Sequence, residues 1–162
     1  MPLPELALSA GPGWPPDPVT VPSAYRGVTL RRVLAYLVDL WLIGLVLILL
    51  NFLLGLLTIL SFGLLWPLHF LVVPMAVTLA YHSLQLASPA AATVGMRCFD
   101  LEIHSILGGR TTLAQALVHT ICFYGSLGFS AGLLLLVALF NPRRRTLHDF
   151  LAGTLVLRKS VV

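Results

Sequence analysis

Charge is what this 162-residue sequence most lacks: 10% of its residues are charged and 58% hydrophobic, with a mean hydropathy of +0.95. Soluble domains carry about 25% charged residues. No Asp, Glu, Lys or Arg occurs in the 57 residues from Leu40 to Met96, or in the 32 from Thr111 to Pro142. Each run exceeds the roughly 20 apolar residues that cross a bilayer as a helix. A soluble globular protein is excluded, and an integral membrane protein built mainly of helices is expected. Cysteine is scarce too. Cys98 and Cys122 form neither a CxxC pair nor a metal spacing, so no disulfide framework, zinc site or other cofactor is indicated. The first 30 residues lack the cationic start and apolar centre of a secretory signal, so the first membrane segment is expected to direct its own insertion. The length suits one compact membrane domain, far short of a Rossmann domain or a kinase.

What charge there is sits at segment ends. The net charge is +4, and Arg26, Arg31, Arg32, Arg97, Arg110, Arg143, Arg144, Arg145, Arg158 and Lys159 all flank apolar runs, where the positive-inside bias places them. Membrane lipids, and not nucleic acid, are the expected partners of this basic balance.

Residues 1–24 hold seven prolines, two acids and no base, which predicts a disordered Pro-rich cytoplasmic tail ahead of a membrane domain at 25–158. Val33 to Leu57 is long enough for a first span at 1.5 Å per residue. A short turn, Thr58 to Gly63, leads to a second span at Leu64 to Leu86, in which Pro67 suits an early turn and Pro74 should kink the middle. Ala87 to Thr112 is the main polar connection. Within it Arg97 to His104 alternates apolar and polar residues and ends at Gly108-Gly109, which predicts a short strand or hairpin.

Leu113 to Phe140 is a third apolar segment, broken at its centre by Gly125, Gly128 and Gly132. With a cytoplasmic N-terminus, an ordinary third span would carry Arg143 to Arg145 outside, against the positive-inside rule. A bent pair, Leu113 to Tyr124 lying shallow and Leu127 to Phe140 returning to the cytoplasmic face, keeps them inside. The expected fold is therefore all-α in the membrane: two transmembrane helices, a third Gly-broken segment as bent hairpin or third span, and a small polar hairpin between.

Few residues here can carry chemistry. Asp39 lies roughly 9 Å inside the first span, where a lone carboxylate is expensive, so it must be neutral, paired or water-facing. Arg32, seven residues earlier, has nearly the same helical direction, and Tyr36 falls between them. Two readings remain open: Asp39 as a proton or cation carrier, or as a packing pair that fixes the helices. In the bent arrangement Asp149, beside His148, sits near Arg31 and Arg32. If Arg32, Asp39 and Asp149 converge, one guanidinium serves two carboxylates; the plainer reading is that His148 and Asp149 cap a short helix. Arg97, after Gly95, is either an anion contact or an exposed charge after a turn. His119 and Cys122 share a helix face but lack a third ligand. Asn51 and Thr58 are expected to make interhelical hydrogen bonds. No nucleophile with its base, metal set or phosphate cradle is visible, so an enzyme is not expected.

Three stretches together resemble the RDD family of small bacterial membrane proteins, named for one arginine and two aspartates. They are Arg31-Arg32-Val33-Leu34-Ala35-Tyr36-Leu37-Val38-Asp39; Ala87-Ser88-Pro89 with Thr93-Val94-Gly95-Met96-Arg97; and Asn141-Pro142-Arg143-Arg144-Arg145-Thr146-Leu147-His148-Asp149-Phe150-Leu151-Ala152-Gly153-Thr154. The resemblance covers about residues 25–158. It implies a multi-pass protein of the bacterial inner membrane with transport suggested, for some members exchange of sodium or lithium for protons. The resulting expectation is movement of a small cation or solute coupled to protons, with Arg32, Asp39 and Asp149 as the cluster and Arg31, Tyr36, Arg97 and His148 in support. So few helices would favour a homo-oligomer. The alternative is an accessory or scaffold subunit without transport activity.

Overall fold

The computed structural model describes residues 14–130 and 137–161. Helix α1, Val28–Leu60, is 33 residues long, and with the preceding turn Pro22–Ala24 forms the first candidate span. Ile48, Leu49, Phe52, Leu53, Leu56 and Ile59 are each more than half exposed. An apolar surface of that extent is unstable against water and suits lipid. After the turn at Ser61–Gly63 the chain enters a π-helical stretch, Leu68–Val72, which continues directly into α2, Val73–Leu86. Together these form the second candidate span. The expected kink takes this form: Pro74 has no N–H to give to the turn before it, and the helix is widened in that turn. Two apolar spans and a predominance of helix mark a membrane protein.

The polar connection folds back on α1 through α3, Val94–Cys98, and then forms β1, Leu101–Ser105. The alternation holds, with Leu101, Ile103 and Ser105 buried. The strand partner, however, is distant. β1 pairs antiparallel with β2, Thr154–Arg158, in the register Leu101↔Arg158 to Ser105↔Thr154, and the local return is a single bridge, His104↔Arg110. The small hairpin expected between the spans is thus mainly one half of a long-range ribbon, because buried Leu155 and Leu157 supply an apolar strand that the residues after Gly109 do not.

Helix α4, Leu113–Ser130, runs unbroken past Gly125 and Gly128, so the bend does not fall between Tyr124 and Leu127. Each glycine costs a helix only about 1 kcal/mol, and packing against α2 overrides that preference. Residues 131–136 lie outside the described residues. The chain resumes in the short helix α5, Val137–Phe140, and in α6, Leu147–Ala152, which lies against α4. Gly153, at φ +63, closes α6 and turns the chain at once into β2.

Two small cores bind this end together. Val28, Ala35, Leu86, Leu101, Ile103 and Val156 form one, and Ala24, Tyr25, Leu155 and Leu157 the other. Part of the expected tail belongs to the second. Residues 1–13 lie outside the described residues, but Trp14 donates its indole N–H to the Ser105 carbonyl (3.1 Å), Tyr25 donates to the Pro16 carbonyl (2.6 Å), and Ala24 is fully buried. Disorder through residue 24 is corrected accordingly: proline lacks a backbone donor, yet Trp14 among the prolines and Tyr25 after them find an apolar seat.

Candidate functional site

Asp39 is buried at 2% exposure and receives three donors. Tyr81 of α2 gives its hydroxyl to Oδ1 (2.7 Å), the backbone N–H of Gly95 reaches the same oxygen (2.8 Å), and Thr93 gives its hydroxyl to Oδ2 (2.6 Å). The local sequence explains the approach. Thr93 opens α3, and its Oγ also accepts the Met96 N–H (3.2 Å). Gly95 then lies so near α1 that a Cβ there would stand 2.1 Å from the Ala35 carbonyl oxygen. Only glycine permits that contact. No cation among the described residues pairs with Asp39.

Asp149 is held differently. It is fully buried in α6, and its Oδ2 takes Nη1 of Arg32 (2.5 Å), the backbone N–H of Thr146 (2.9 Å) and the Thr146 hydroxyl (2.8 Å). Its other oxygen, Oδ1, faces Nδ1 of His119 at 3.5 Å and accepts no hydrogen bond from the described residues. Burial alone would raise this carboxyl, but the positive charge of Arg32 holds it below the usual carboxylate range. His148 is pushed down by burial to about 3, which makes it a neutral imidazole. The Thr146 hydroxyl has one proton and directs it to the Asp149 carboxylate, so it accepts from Nε2 of His148 (2.7 Å). That leaves Nδ1 of His148 a bare lone pair, buried and unpartnered.

The expected sharing of Arg32 between two carboxylates is therefore corrected: the guanidinium goes to Asp149, and Asp39 is served by neutral donors. Helical side chains lean toward the N-terminus, so Arg32 reaches away from Asp39, which lies two turns further along. Tyr36 packs edge-on to Phe123 at 5.1 Å between ring centres. Arg31 donates to the Phe99 carbonyl (2.8 Å), tying α1 to the end of α3. Arg97 is exposed in the last turn of α3 and donates to the Ala92 carbonyl (3.3 Å). Of the arginine cluster, Arg145 straps the C-terminal segment: it donates to the carbonyls of Thr154 and Asp149 and lies 4.1 Å over the Phe150 ring. Asn51 bonds within its own helix to Leu47, whereas Thr58 also reaches His69 across the turn (3.1 Å).

Among α1, α2, α3, α4 and α6 lies a cavity of about 90 Å³ that brings together Arg32, Tyr36, Asp39, His82, His119 and His148. At about 30 Å³ per water, it has room for a small ion with a little hydration, and is well short of the roughly 300 Å³ of an organic ligand pocket. His82 and His119 were not singled out as partners of Asp39 or Asp149 in the sequence. His82 meets the Tyr124 hydroxyl (2.9 Å), and His119 Nδ1 meets the Thr154 hydroxyl (3.1 Å). Their spacing along the chain carries no trace of this, since each lies on a different helix.

No curated protein and no solved structure matches the chain. The model of the RDD family matches residues 26–153, which include Arg32, Asp39 and Asp149 and all of α1 through α6. The chain belongs to the RDD family.

Proposed function

We propose that this membrane protein moves a small cation in exchange for protons, using the cavity that Asp39 and the histidines line. The observation that carries this reading is the convergence of Arg32, Asp39, His82, His119 and His148, from four separate elements, on one 90 Å³ space beside two apolar spans. Ionisable side chains among spans are costly and mark ion or proton pathways. The small volume favours an ion over an organic solute. The chain would act as a non-enzymatic, multi-pass protein of the bacterial inner membrane. Its Arg-rich end, where Arg32, Arg145 and Arg158 gather with the β1–β2 ribbon, would face the cytoplasm with both termini. The third apolar segment would then return to that face, and a homo-oligomer would complete the path.

Purified protein in proteoliposomes loaded with a pH-sensitive dye tests this directly. A pulse of sodium, lithium or potassium should drive proton movement, and Asp39→Asn should abolish it without loss of fold. One observation favours a second reading, that of an accessory subunit. All three donors on Asp39 are bonds that staple α2 and α3 to α1, which is a structural use of the carboxylate. Well-folded protein that shows no ion-dependent proton flux would favour that role.

A further inference from the structure

We infer that His119, His148 and Asp149 form a binding site for a divalent transition-metal ion of the zinc type. The inference does not depend on ion exchange, because a metal held here can be resident instead of cargo.

One ligand atom from each of the three residues lies within 4.8 Å of the others. What distinguishes this cluster from an ordinary buried polar network is that both of its ligand residues on α6 keep an unused acceptor, while Nε and Nη2 of the neighbouring Arg32 also lack a partner among the described residues. Nδ1 of His148 and Oδ1 of Asp149 are both acceptors, both buried, and neither receives a hydrogen bond from the described residues. His148 is 4% exposed and Asp149 is fully buried. Buried acceptors without donors are costly, and a cation satisfies several at once.

The surrounding bonds fix two of the three ligands as a metal site requires, and at the third, His119, a metal would take Nδ1 from the Thr154 hydroxyl (3.1 Å). Thr146 holds Nε2 of His148 and so keeps Nδ1 free. Arg32, with the hydroxyl and backbone N–H of Thr146, occupies Oδ2 of Asp149 and leaves Oδ1 toward His119. Partners of this kind orient metal-binding imidazoles and carboxylates in known sites. Two imidazole nitrogens and one carboxylate oxygen suit zinc and neighbouring first-row ions better than magnesium or calcium, which take oxygen. Tetrahedral ligands at about 2.1 Å from a metal stand about 3.4 Å apart, so the widest separation must close by about 1.4 Å. The coordination positions left over would face the cavity that His119 and His148 line.

The test uses the full chain in detergent, freed of metal by a chelator that is then removed. Zinc chloride should bind one ion per chain and raise the melting temperature by about 5 °C at a hundredfold excess over its dissociation constant. Magnesium chloride should leave it unmoved. His119→Gln and His148→Gln should each abolish the zinc shift. X-ray absorption on zinc-loaded wild type needs no variant, and should show two imidazoles and one or two oxygens. Absence of zinc binding, a zinc shift that survives both substitutions, or a thiolate from Cys122 in the shell would each overturn the assignment.

Discussion

Asp39 and Asp149 are equally buried, at 2% and 0% exposure, yet their surroundings differ in kind. Around Asp39 every donor is neutral: a phenol, an alcohol and a backbone amide from three positions on α2 and the start of α3. Around Asp149 a guanidinium dominates, with two imidazoles beside it. Neutral donors place a carboxylate by close approach of backbone and therefore tolerate little change in geometry. A charge pair tolerates geometry better but suffers when one partner is lost. The first arrangement makes Asp39 a joint between helices; the second leaves Asp149 one oxygen to offer elsewhere.

The comparison is most severely tested at Gly95. Gly95→Ala places a methyl group against the Ala35 carbonyl, where backbone meets backbone, and should cost upward of about 4 kcal/mol. Loss of folded protein on size exclusion, or a melting temperature lowered by ten degrees or so, is the expected readout; a silent substitution would mean that the approach is loose.

Next comes the charged pair. Arg32→Gln and Asp149→Asn should each destabilise by about 3 to 5 kcal/mol, because each strands a buried charge, and the double substitution should recover much of the loss. Purely additive melting shifts would show that the two side chains do not depend on each other. At Asp39 the single losses should be smaller. Tyr81→Phe removes one of three donors and should cost about 1.5 to 3 kcal/mol. A cost above that of Arg32→Gln would reverse the contrast between the two carboxylates.

The smallest effect concerns acid sensitivity away from both sites. His104, on the polar face of the ribbon, is lowered from 6.5 by burial, against the opposing pull of Glu102 at 3.6 Å; Glu102 is itself bound by Lys159. Since the unfolded chain binds the proton more readily, stability should decline as pH falls through 6.5 toward the lower folded value. His104→Gln should flatten that part of the melting-temperature profile, and an unchanged slope would assign the acid sensitivity to the buried histidines around the cavity.

Much of this was readable residue by residue, and the misses share a cause. The spans followed from charge-free length, the disturbance at Pro74 from its missing N–H, and the strand at Leu101 from alternation. The two-stranded pairing was not readable, because a strand's pattern gives its faces but not its partner, and β2 lies about 50 residues away. Gly125 and Gly128 suggested a break that the contacts of α4 with α2 and α6 override, while Gly132 lies outside the described residues. Arg32 and Asp39 share a helical direction, and that direction alone suggested a pair. The side chain's lean toward the N-terminus sends the guanidinium to α6 instead.

The sequence by itself determined that this is a helical membrane protein, which ends carry positive charge, and that a carboxylate inside the first span must be neutral, paired or water-facing. Those properties depend on composition and on periods of a few residues, and hydrocarbon enforces them locally, span by span. Only the tertiary structure decided who those partners are: Tyr81, Thr93 and Gly95 for one carboxylate, Arg32 and the histidines for the other. Hydrogen bonds act over about 3 Å, and whether residues 42 or 117 positions apart come within that range is settled by how the helices pack.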